Sequence, residues 1–415
     1  MKRVLTEVAS TSGRHWILGV YLVLYMLAGI RTELGLLERK PLTEAWMQDY
    51  TYYERALEAA LNGRAVYTDR EIGTAFLYPP TALLSVEVFS HVRDEGIEGA
   101  LIAVTNLALL VLMTYGVARC FSHPVRSVWW WFVLALGFAP FLEVLHIGQI
   151  NTLPLLGLFL MFVARDRLPA LSGAGLALAV GTKLSPLLFL PYLAASRKFK
   201  VLVMAFAAMA AFAGLSVLRF GLGPWIEYAE AVGWLTSRFV LDHNSQSLAA
   251  KLVWLVNSKP VMAMILGLPA ALGESLRLAA RQLPAALPAF QLVLTVYVAA
   301  LIALSSALTF FGRQPGEPLF ILSAIAMLLA PNLVWYHHYI FMLLPLFVWM
   351  AWTRLEPRSV AWCLLGFMII QSDRWLPPYG LLIHVFGHAS MLILLVWQVR
   401  AFLSRRAAEA PAPRS

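Results

Sequence analysis

The chain has 415 residues, of which 60% belong to the hydrophobic set and 13% are charged, and its formal net charge is +9. Soluble proteins carry about 25% charged residues, so this composition excludes a soluble fold. The basic residues stand in short clusters between apolar runs and form no stripe with interleaved aromatic residues, which argues against a nucleic-acid partner.

Apolar segments long enough, or nearly long enough, to cross a membrane recur along the chain. A helical crossing needs about 20 residues. The clearest candidates are residues 16–30, 100–117, 201–217, 290–311 and 379–399. They predict an all-α integral membrane protein with a single polytopic domain over residues 1–404, in contact with membrane lipids. Residues 405–415, rich in Ala and Pro, are expected to be a disordered cytoplasmic tail.

Links that carry Lys and Arg alternate with links that lack them. Basic residues stay preferentially in the cytoplasm, which places on that side the N-terminus and residues 119–126, 165–167, 197–200, 313, 354–358 and 400–406. The outward links are then 31–79, 146–151, 182–185, 221–283, 332–338 and 372–378. The alternation predicts about twelve crossings, provided that the apolar run after Tyr78-Pro79-Pro80 enters the membrane without crossing it. Whether 261–272 crosses is left open.

The first outward loop contains a predicted amphipathic helix that lies on the membrane surface. Its apolar positions have helical spacing: Tyr53, Ala56, Leu57, Ala60 and Leu61. Asp49 stands just before this helix and has two interpretations. It can cap the helix N-terminus, or it can be a carboxylate at the headgroup level that takes a proton from a sugar hydroxyl.

Polar and aromatic residues recur in a fixed order in the outward links. They are Asp49, Tyr53, Gly63, Tyr67 and Tyr78-Pro79-Pro80, then Gly148-Gln149-x-Asn151, then Lys183-x-x-Pro186, and finally Pro331 through Trp335 to His337-His338. This order, spanning roughly residues 45 to 350, resembles glycosyltransferase family 87, the polyprenyl-phosphate-mannose-dependent mannosyltransferases of the C-type superfamily. One segment departs from the family pattern, because Asn-Gln-Ser appears here as Asn244-Ser245-Gln246-Ser247.

The resemblance implies a C-type fold, a polyprenyl-phosphate sugar as donor, inversion at the anomeric carbon, and an acidic base in the first loop, here Asp49. We also predict a lipid or glycan acceptor and, from the distribution of basic residues, a site on the extracytoplasmic face of the plasma (inner) membrane. Because phosphate is a good leaving group, one carboxylate can suffice. Outward-facing cations can stabilise the leaving phosphate, and the candidates are Lys183, His337 and His338. The candidate substrate-binding residues are Tyr53, Tyr78, Gln149, Asn151 and Asn244.

Each of these residues also has a structural interpretation. Lys183 can extend its ammonium to the interface, and the histidines can be hydrogen-bonded in the core. Gln149 and Asn151 can cap helices, and Tyr78-Pro79-Pro80 can fix a helix start. Rival bases are Asp69 and Asp242. His384 and His388, spaced i and i+4, lack a third metal ligand, and no metal or cofactor is expected.

Two other functions compete with a glycosyltransferase. A polytopic transporter or lipid flippase would place ionisable groups near the middle of the membrane, whereas the polar groups here gather in the outward links. An integral acyl or phosphoethanolamine transferase would need a nucleophile or a metal site, and neither is evident. The acceptor and the identity of the sugar do not follow from the sequence.

Overall fold

The computed structural model describes residues 17–32, 47–68, 76–91, 95–125, 128–236, 245–257, 270–331, 333–372 and 381–409. Regular structure in this part of the chain is helical, and the pairing of extended backbone is limited to an antiparallel bridge between Ser245 and Trp335. The all-α prediction is therefore confirmed for the described residues.

The described part of the first half of the chain forms helices of 8 to 26 residues. They are α1 (Ile17–Thr32), α2 (Gln48–Leu61), α3 (Ala82–Phe89), α4 (Glu95–Cys120), α5 (Trp129–Leu136), α6 (Ala139–Ile147), α7 (Thr152–Ala164) and α8 (Pro169–Thr182). Helix α3 has eight residues, about 12 Å of helix, which is too short to cross a bilayer. The expectation that this run does not cross agrees with its length.

The second half contains the two longest helices. After a 3₁₀ helix (Ser185–Phe189) come α9 (Leu190–Ala195), α10 (Phe199–Phe220), α11 (Gly223–Thr236), α12 (Leu248–Asn257), α13 (Ala270–Phe311), α14 (Glu317–Leu329), a second 3₁₀ helix (Tyr336–Met342), α15 (Leu343–Trp352), α16 (Pro357–Ser372) and α17 (Leu381–Glu409). Helix α17 continues to Glu409, so it includes the first five residues of the segment expected to be a disordered tail.

Four helical segments of the described chain are long and apolar enough to cross a membrane: Gly99–Cys120, Phe199–Phe220, Ala285–Phe311 and Leu381–Ala408. A fifth arises if α5 and α6, which meet at an angle of 52°, are one span. Pro140 lies in the first turn of α6. The buried Gln371 side chain satisfies the broken backbone, since Nε2 donates to the Gly137 carbonyl and Oε1 accepts from the Ala139 amide. Length and composition thus give four or five spans, and the remaining apolar helices are shorter.

The degree of burial distinguishes central helices from peripheral ones. Residues Pro318 to Leu329 of α14 are all buried, as is most of α15, which is the pattern of helices covered on every side. By contrast, α1, α4, α10, α13 and α17 expose large apolar side chains, as surfaces in contact with lipid do. Helices α7 and α8 pack closely because of glycines: a Cβ on Gly157 would lie 2.4 Å from the Gly175 carbonyl oxygen.

The basic links gather at one end of the bundle. Arg165 pairs with Glu317 at 2.8 Å, and Lys198 pairs with Asp166 at 2.5 Å. Arg405 donates to the carbonyl oxygens of residues 312 and 313. Helix α8 starts near this end and finishes at Thr182, so that Lys183 lies at the opposite end.

Candidate active site

Helix α2 places Asp49 by burying one face. Tyr50, Tyr53, Ala56, Leu57 and Ala60 are buried at helical spacing and pack in an apolar cluster with α3. This face of α2 therefore packs against protein, whereas the sequence led us to expect that it rests on the membrane surface. Leu61, which was predicted to belong to the same face, is 45% exposed.

Asp49 lies inside α2, where the sequence placed it just before the helix. The capping position belongs to Met47, which has a left-handed φ of 58° and makes no side-chain cap. The Met47 amide instead donates to the His146 carbonyl at 3.1 Å, which joins the start of α2 to the end of α6. A carboxylate in the first turn interacts favourably with the helix dipole. The proposed N-cap role of Asp49 is therefore wrong, because the chain enters α2 through an αL residue two positions earlier.

Gln149 connects Asp49 to two tyrosines. Its Nε2 donates to Asp49 Oδ2, and its Oε1 lies 2.7 Å from the Tyr53 hydroxyl and 3.0 Å from the Tyr78 hydroxyl. Burial raises the pKa of both phenols, so they stay protonated and can donate. Every partner matches one orientation of the amide: hydroxyl protons meet its oxygen, and its NH₂ meets a carboxylate.

The loop after α2 holds Tyr78 by hydrogen bonds to distant elements. The Tyr67 hydroxyl donates to the Tyr78 carbonyl at 2.6 Å. The amides of Val66 and Tyr67 both donate to Glu227 Oε2 on α11, at 2.7 and 3.0 Å. Beyond Tyr78, the Pro79 carbonyl accepts from the Ala82 amide, and α3 begins there. Tyr78-Pro79-Pro80 thus starts a helix and also presents a hydroxyl to Gln149.

Lys183 ends α8 in an extended conformation. Its Nζ lies 3.4 Å from Asn151 Oδ1, 5.5 Å from the centre of the Phe341 ring and 6.0 Å from that of Tyr78. Burial of the ammonium lowers the pKa of Lys183 to about 7. Asn151 stands at the start of α7 without capping it, and its Nδ2 is buried with no hydrogen-bond partner in the described part of the chain. This amide is thus oriented towards Lys183 instead of the helix.

The two histidines lie on the second 3₁₀ helix, with ring centres 4.7 Å apart. His338 Nδ1 accepts from the Trp335 amide at 3.2 Å. Burial, and then the nearby Lys183 and His337, keep the pKa of His338 well below its usual value. His337 Nδ1 lies 3.8 Å from Glu143 Oε1 on α6.

The structure connects most of the predicted site residues through contacts. Asp49 and Tyr53 contact Gln149; Gln149 contacts Tyr78; the Tyr78 ring faces Lys183; and Lys183 lies near Asn151 and the histidine turn. Asn244 and the rival bases Asp69 and Asp242 lie outside the described residues. The neighbours of Asn244 do reach this end of the bundle, because the Gln246 amide donates to the Val334 carbonyl at 2.5 Å.

Two acidic residues of this region were not found from the sequence. Glu227 anchors the first loop, and Glu143 lies beside His337. Glu143 carried a usable signal, because it is the acidic residue of a nine-residue helix whose other residues are apolar apart from His146. A carboxylate in such a segment of a membrane protein is by default a candidate functional residue. His384, considered for a metal site, contacts the Gln246 carbonyl through Nε2 at 2.8 Å.

Comparison with known proteins agrees with the motifs. A model of glycosyltransferase family 87 matches residues 76–331. The chain is also 25% identical over 400 residues to the polyprenol-phosphate-mannose-dependent alpha-(1-2)-phosphatidylinositol mannoside mannosyltransferase of Mycobacterium tuberculosis, covering 89% of this chain and 84% of that protein. No solved structure matches. With its apolar spans and a family match over more than half of its length, the chain belongs to glycosyltransferase family 87 and is a membrane glycosyltransferase.

Proposed function

We propose that this glycosyltransferase moves a mannosyl, or related hexosyl, unit from a polyprenyl-phosphate sugar to a hydroxyl of a lipid or glycan acceptor, with inversion at the anomeric carbon. The observation that carries the proposal is the link between Asp49 and Lys183. Gln149 holds the Asp49 carboxylate and meets the Tyr78 hydroxyl, while the Tyr78 ring lies 6.0 Å from the Lys183 ammonium. A base and a phosphate-binding cation at opposite sides of one small cluster are what a single displacement requires.

Asp49 is the general base in this mechanism. The acceptor hydroxyl gives its proton to the Asp49 carboxylate, and the acceptor oxygen forms a bond to the anomeric carbon. The bond between that carbon and the phosphate oxygen breaks, and its electron pair leaves with the polyprenyl phosphate. Phosphate leaves without protonation, so no second carboxylate is needed.

Negative charge develops on the leaving phosphate. In this mechanism Lys183 and the 3₁₀ helix that carries the two histidines stabilise that charge. Lys183 has one neutral amide oxygen at 3.4 Å as its hydrogen-bond partner among the described residues. A desolvated ammonium in that position is costly until an anion arrives. Fixed donors aimed at charge that develops in the transition state are a large source of rate acceleration.

The relative supports the choice of donor and acceptor class. Its name specifies a polyprenol-phosphate-mannose donor and a phosphatidylinositol mannoside acceptor. For the present chain we propose the same donor class and an acceptor that is a glycolipid or membrane-linked glycan. The family match includes Tyr78, Gln149, Asn151 and Lys183 but not Asp49 or the histidines, so the roles of these last residues depend on their motifs and contacts.

We also propose a C-type fold with about twelve crossings, both termini in the cytoplasm, and the site on the extracytoplasmic face of the plasma membrane. The support is the different set of polar groups found near each end of α8. The basic links meet around Arg165 and Lys198 at one end, and Lys183 lies with the aromatic and amide groups at the other.

The test is transfer of labelled mannose from polyprenyl-phosphate mannose by the purified full chain in nanodiscs with a membrane lipid extract as acceptor. Loss of a general base is worth roughly 10²- to 10⁴-fold, so we expect Asp49→Asn to lower turnover about 1,000-fold. The matched control is Asp166→Asn, which removes a carboxylate at the opposite end and should retain turnover within about twofold.

Several outcomes would contradict the proposal. Full turnover by the Asp49→Asn variant would exclude Asp49 as the base. Use of a nucleotide sugar would contradict the proposed polyprenyl-phosphate donor. Retained anomeric configuration in the product would exclude a single displacement. Movement of the lipid between leaflets without a new glycosidic bond would favour a flippase.

A further inference from the structure

The adjacent histidines of the 3₁₀ turn have different surroundings. His338 has its Nδ1 occupied as an acceptor by the Trp335 amide at 3.2 Å, so this ring helps to form the turn. The His337 ring lies edge to face with that of His338, with ring centres 4.7 Å apart and an angle of 81° between the two planes. The two histidines therefore differ in their contacts, because His338 is bound within the turn and His337 faces α6.

His337 faces a carboxylate on the mostly apolar helix α6. Glu143 and His337 are 7% and 6% exposed, and Glu143 Oε1 lies 3.8 Å from His337 Nδ1. A buried carboxylate is costly unless a charged or donating group lies close to it. Replacing it by an apolar residue would relieve that cost, so its presence in α6 calls for a functional explanation.

The other nitrogen of the His337 ring points away from this pair. His337 Nε2 is buried and has no hydrogen-bond partner in the described part of the chain. Buried donors are rarely left unsatisfied in native proteins. An anionic oxygen beside Nε2 would satisfy it, and the arrangement of a carboxylate at one nitrogen and a ligand at the other is the one that fixes the tautomer and orientation of functional histidines.

Resting on the proposed function, we propose that Glu143 is the positioning residue for His337, holding the ring at Nδ1 so that Nε2–H donates to a phosphate oxygen of the lipid-linked donor. Of the two histidines, His337 is then the phosphate ligand and His338 the structural one. Lys183, which lies near His338, binds the same phosphate as a point charge.

A double-mutant cycle tests this coupling. Steady-state rates are measured for the full chain and for Glu143→Gln, His337→Gln and the double variant, varying donor and acceptor separately. We expect Glu143→Gln to raise the donor KM about tenfold with an unchanged acceptor KM, and the double variant to be no worse than His337→Gln, because residues that act as a unit are not additive. Glu143→Asp should recover part of the loss.

The control is Glu317→Gln on α14, which removes a partly buried carboxylate that pairs with Arg165 at 2.8 Å at the opposite end of the bundle. It should lower thermal stability and leave the donor KM unchanged. If Glu143→Gln fails to insert or fold, the same cycle is run with Glu143→Asp.

Additive losses, a raised acceptor KM, or an unchanged or lower donor KM in the Glu143 variants would overturn the proposal. Equilibrium binding of a short-chain polyprenyl phosphate to the same variants separates it from the proposed function. A wild-type protein that binds this lipid through His337 and Glu143 but transfers no sugar would contradict the function alone. A wild-type protein that transfers sugar with an additive cycle would contradict the inference alone.

Discussion

Buried and partly buried cations at the two ends of the bundle have different partners. At the end that carries the basic links, Arg165 meets Glu317 at 2.8 Å and lies 3.9 Å from the Phe162 ring centre, and Lys198 meets Asp166. At the other end, Lys183 meets one amide oxygen at 3.4 Å and two aromatic rings. Arg165 and Lys198 are thus paired with carboxylates without a ligand, whereas Lys183 is a desolvated cation available to an anion. We therefore expect Arg165 to contribute mainly to stability and Lys183 mainly to function.

The largest effect that this comparison predicts comes from removing each of the two cations in turn. Lys183→Met should lower kcat/KM for the donor about 100-fold, which is within the range for loss of one electrostatic donor. Its thermal stability should stay the same or increase, because a desolvated ammonium is removed. Arg165→Met should cost about 2 kcal/mol of stability, since it leaves the Glu317 carboxylate without its partner.

Both variants are measured by donor kinetics and by thermal unfolding in the same nanodiscs. If Lys183→Met unfolds readily while Arg165→Met loses donor affinity, the division between the two ends is wrong.

A backbone position gives the next effect. Gly148 has a φ of +69°, and a Cβ there would lie 2.8 Å from Met47 Sδ and 2.9 Å from Tyr50 Cβ. Gly148→Ala should push the start of α2 away from α6 and move Asp49 relative to Gln149, and we expect turnover to fall about tenfold, as small displacements of catalytic groups do. Gly63→Ala is the matched control, because Gly63 has a φ of +63° with open space around it.

The control should lose stability by about 1 kcal/mol from backbone strain and keep its turnover. Equal turnover losses in the two variants would show that strain, and not the displacement of α2, is responsible.

A smaller effect concerns pH. The pKa of Lys183 is lowered to about 7, so the amine is charged below pH 7 and loses its charge as the pH rises. A sugar phosphodiester keeps one negative charge throughout this range. His338 and Tyr78, which face Lys183, both stay neutral there, because burial lowers the pKa of the first and raises that of the second. We expect kcat/KM for the donor to fall about fivefold between pH 7 and pH 8.

Lys183→Arg provides the check on this assignment, since a guanidinium remains charged over the whole range. Its profile should be flat between pH 7 and pH 8, whatever its absolute activity. A similar fall in Lys183→Arg would assign the titration to another group.

Local patterns predicted the elements better than the contacts between them. The spacing of Tyr53, Ala56, Leu57 and Ala60 identified the buried face of α2 because helical periodicity is local. The surface covering that face was missed, since it is supplied by α3 and by residues after the loop. Asp49 and Gln149 are 100 positions apart, and no local rule predicts that their side chains meet.

The family motifs located Gln149, Asn151 and Lys183 but did not show what each contacts. The sequence offered capping for Gln149 and Asn151, whereas the structure has Gln149 between a carboxylate and two phenols, and Asn151 beside an ammonium. Glu143 was missed because it belongs to no motif, and its partner His337 lies on a distant segment. Apolar helices fix the scaffold from sequence, while polar contacts between helices depend on how the whole bundle packs.

The smallest expected effect separates the two tyrosines that meet Gln149. Tyr53→Phe removes the hydroxyl 2.7 Å from Gln149 Oε1 and leaves that of Tyr78 at 3.0 Å, so the amide keeps its orientation and Asp49 keeps its donor. We expect turnover to fall about threefold and stability to fall by about 1 kcal/mol, the usual value of one hydrogen bond.

Tyr25→Phe is the control, because the buried hydroxyl of Tyr25 donates to the Leu134 carbonyl at 2.7 Å within the core. It should lose the same stability with no change in turnover. If both variants lose turnover equally, the tyrosines at Gln149 stabilise the bundle as other buried tyrosines do, and the orientation of Asp49 depends on the α2 backbone alone.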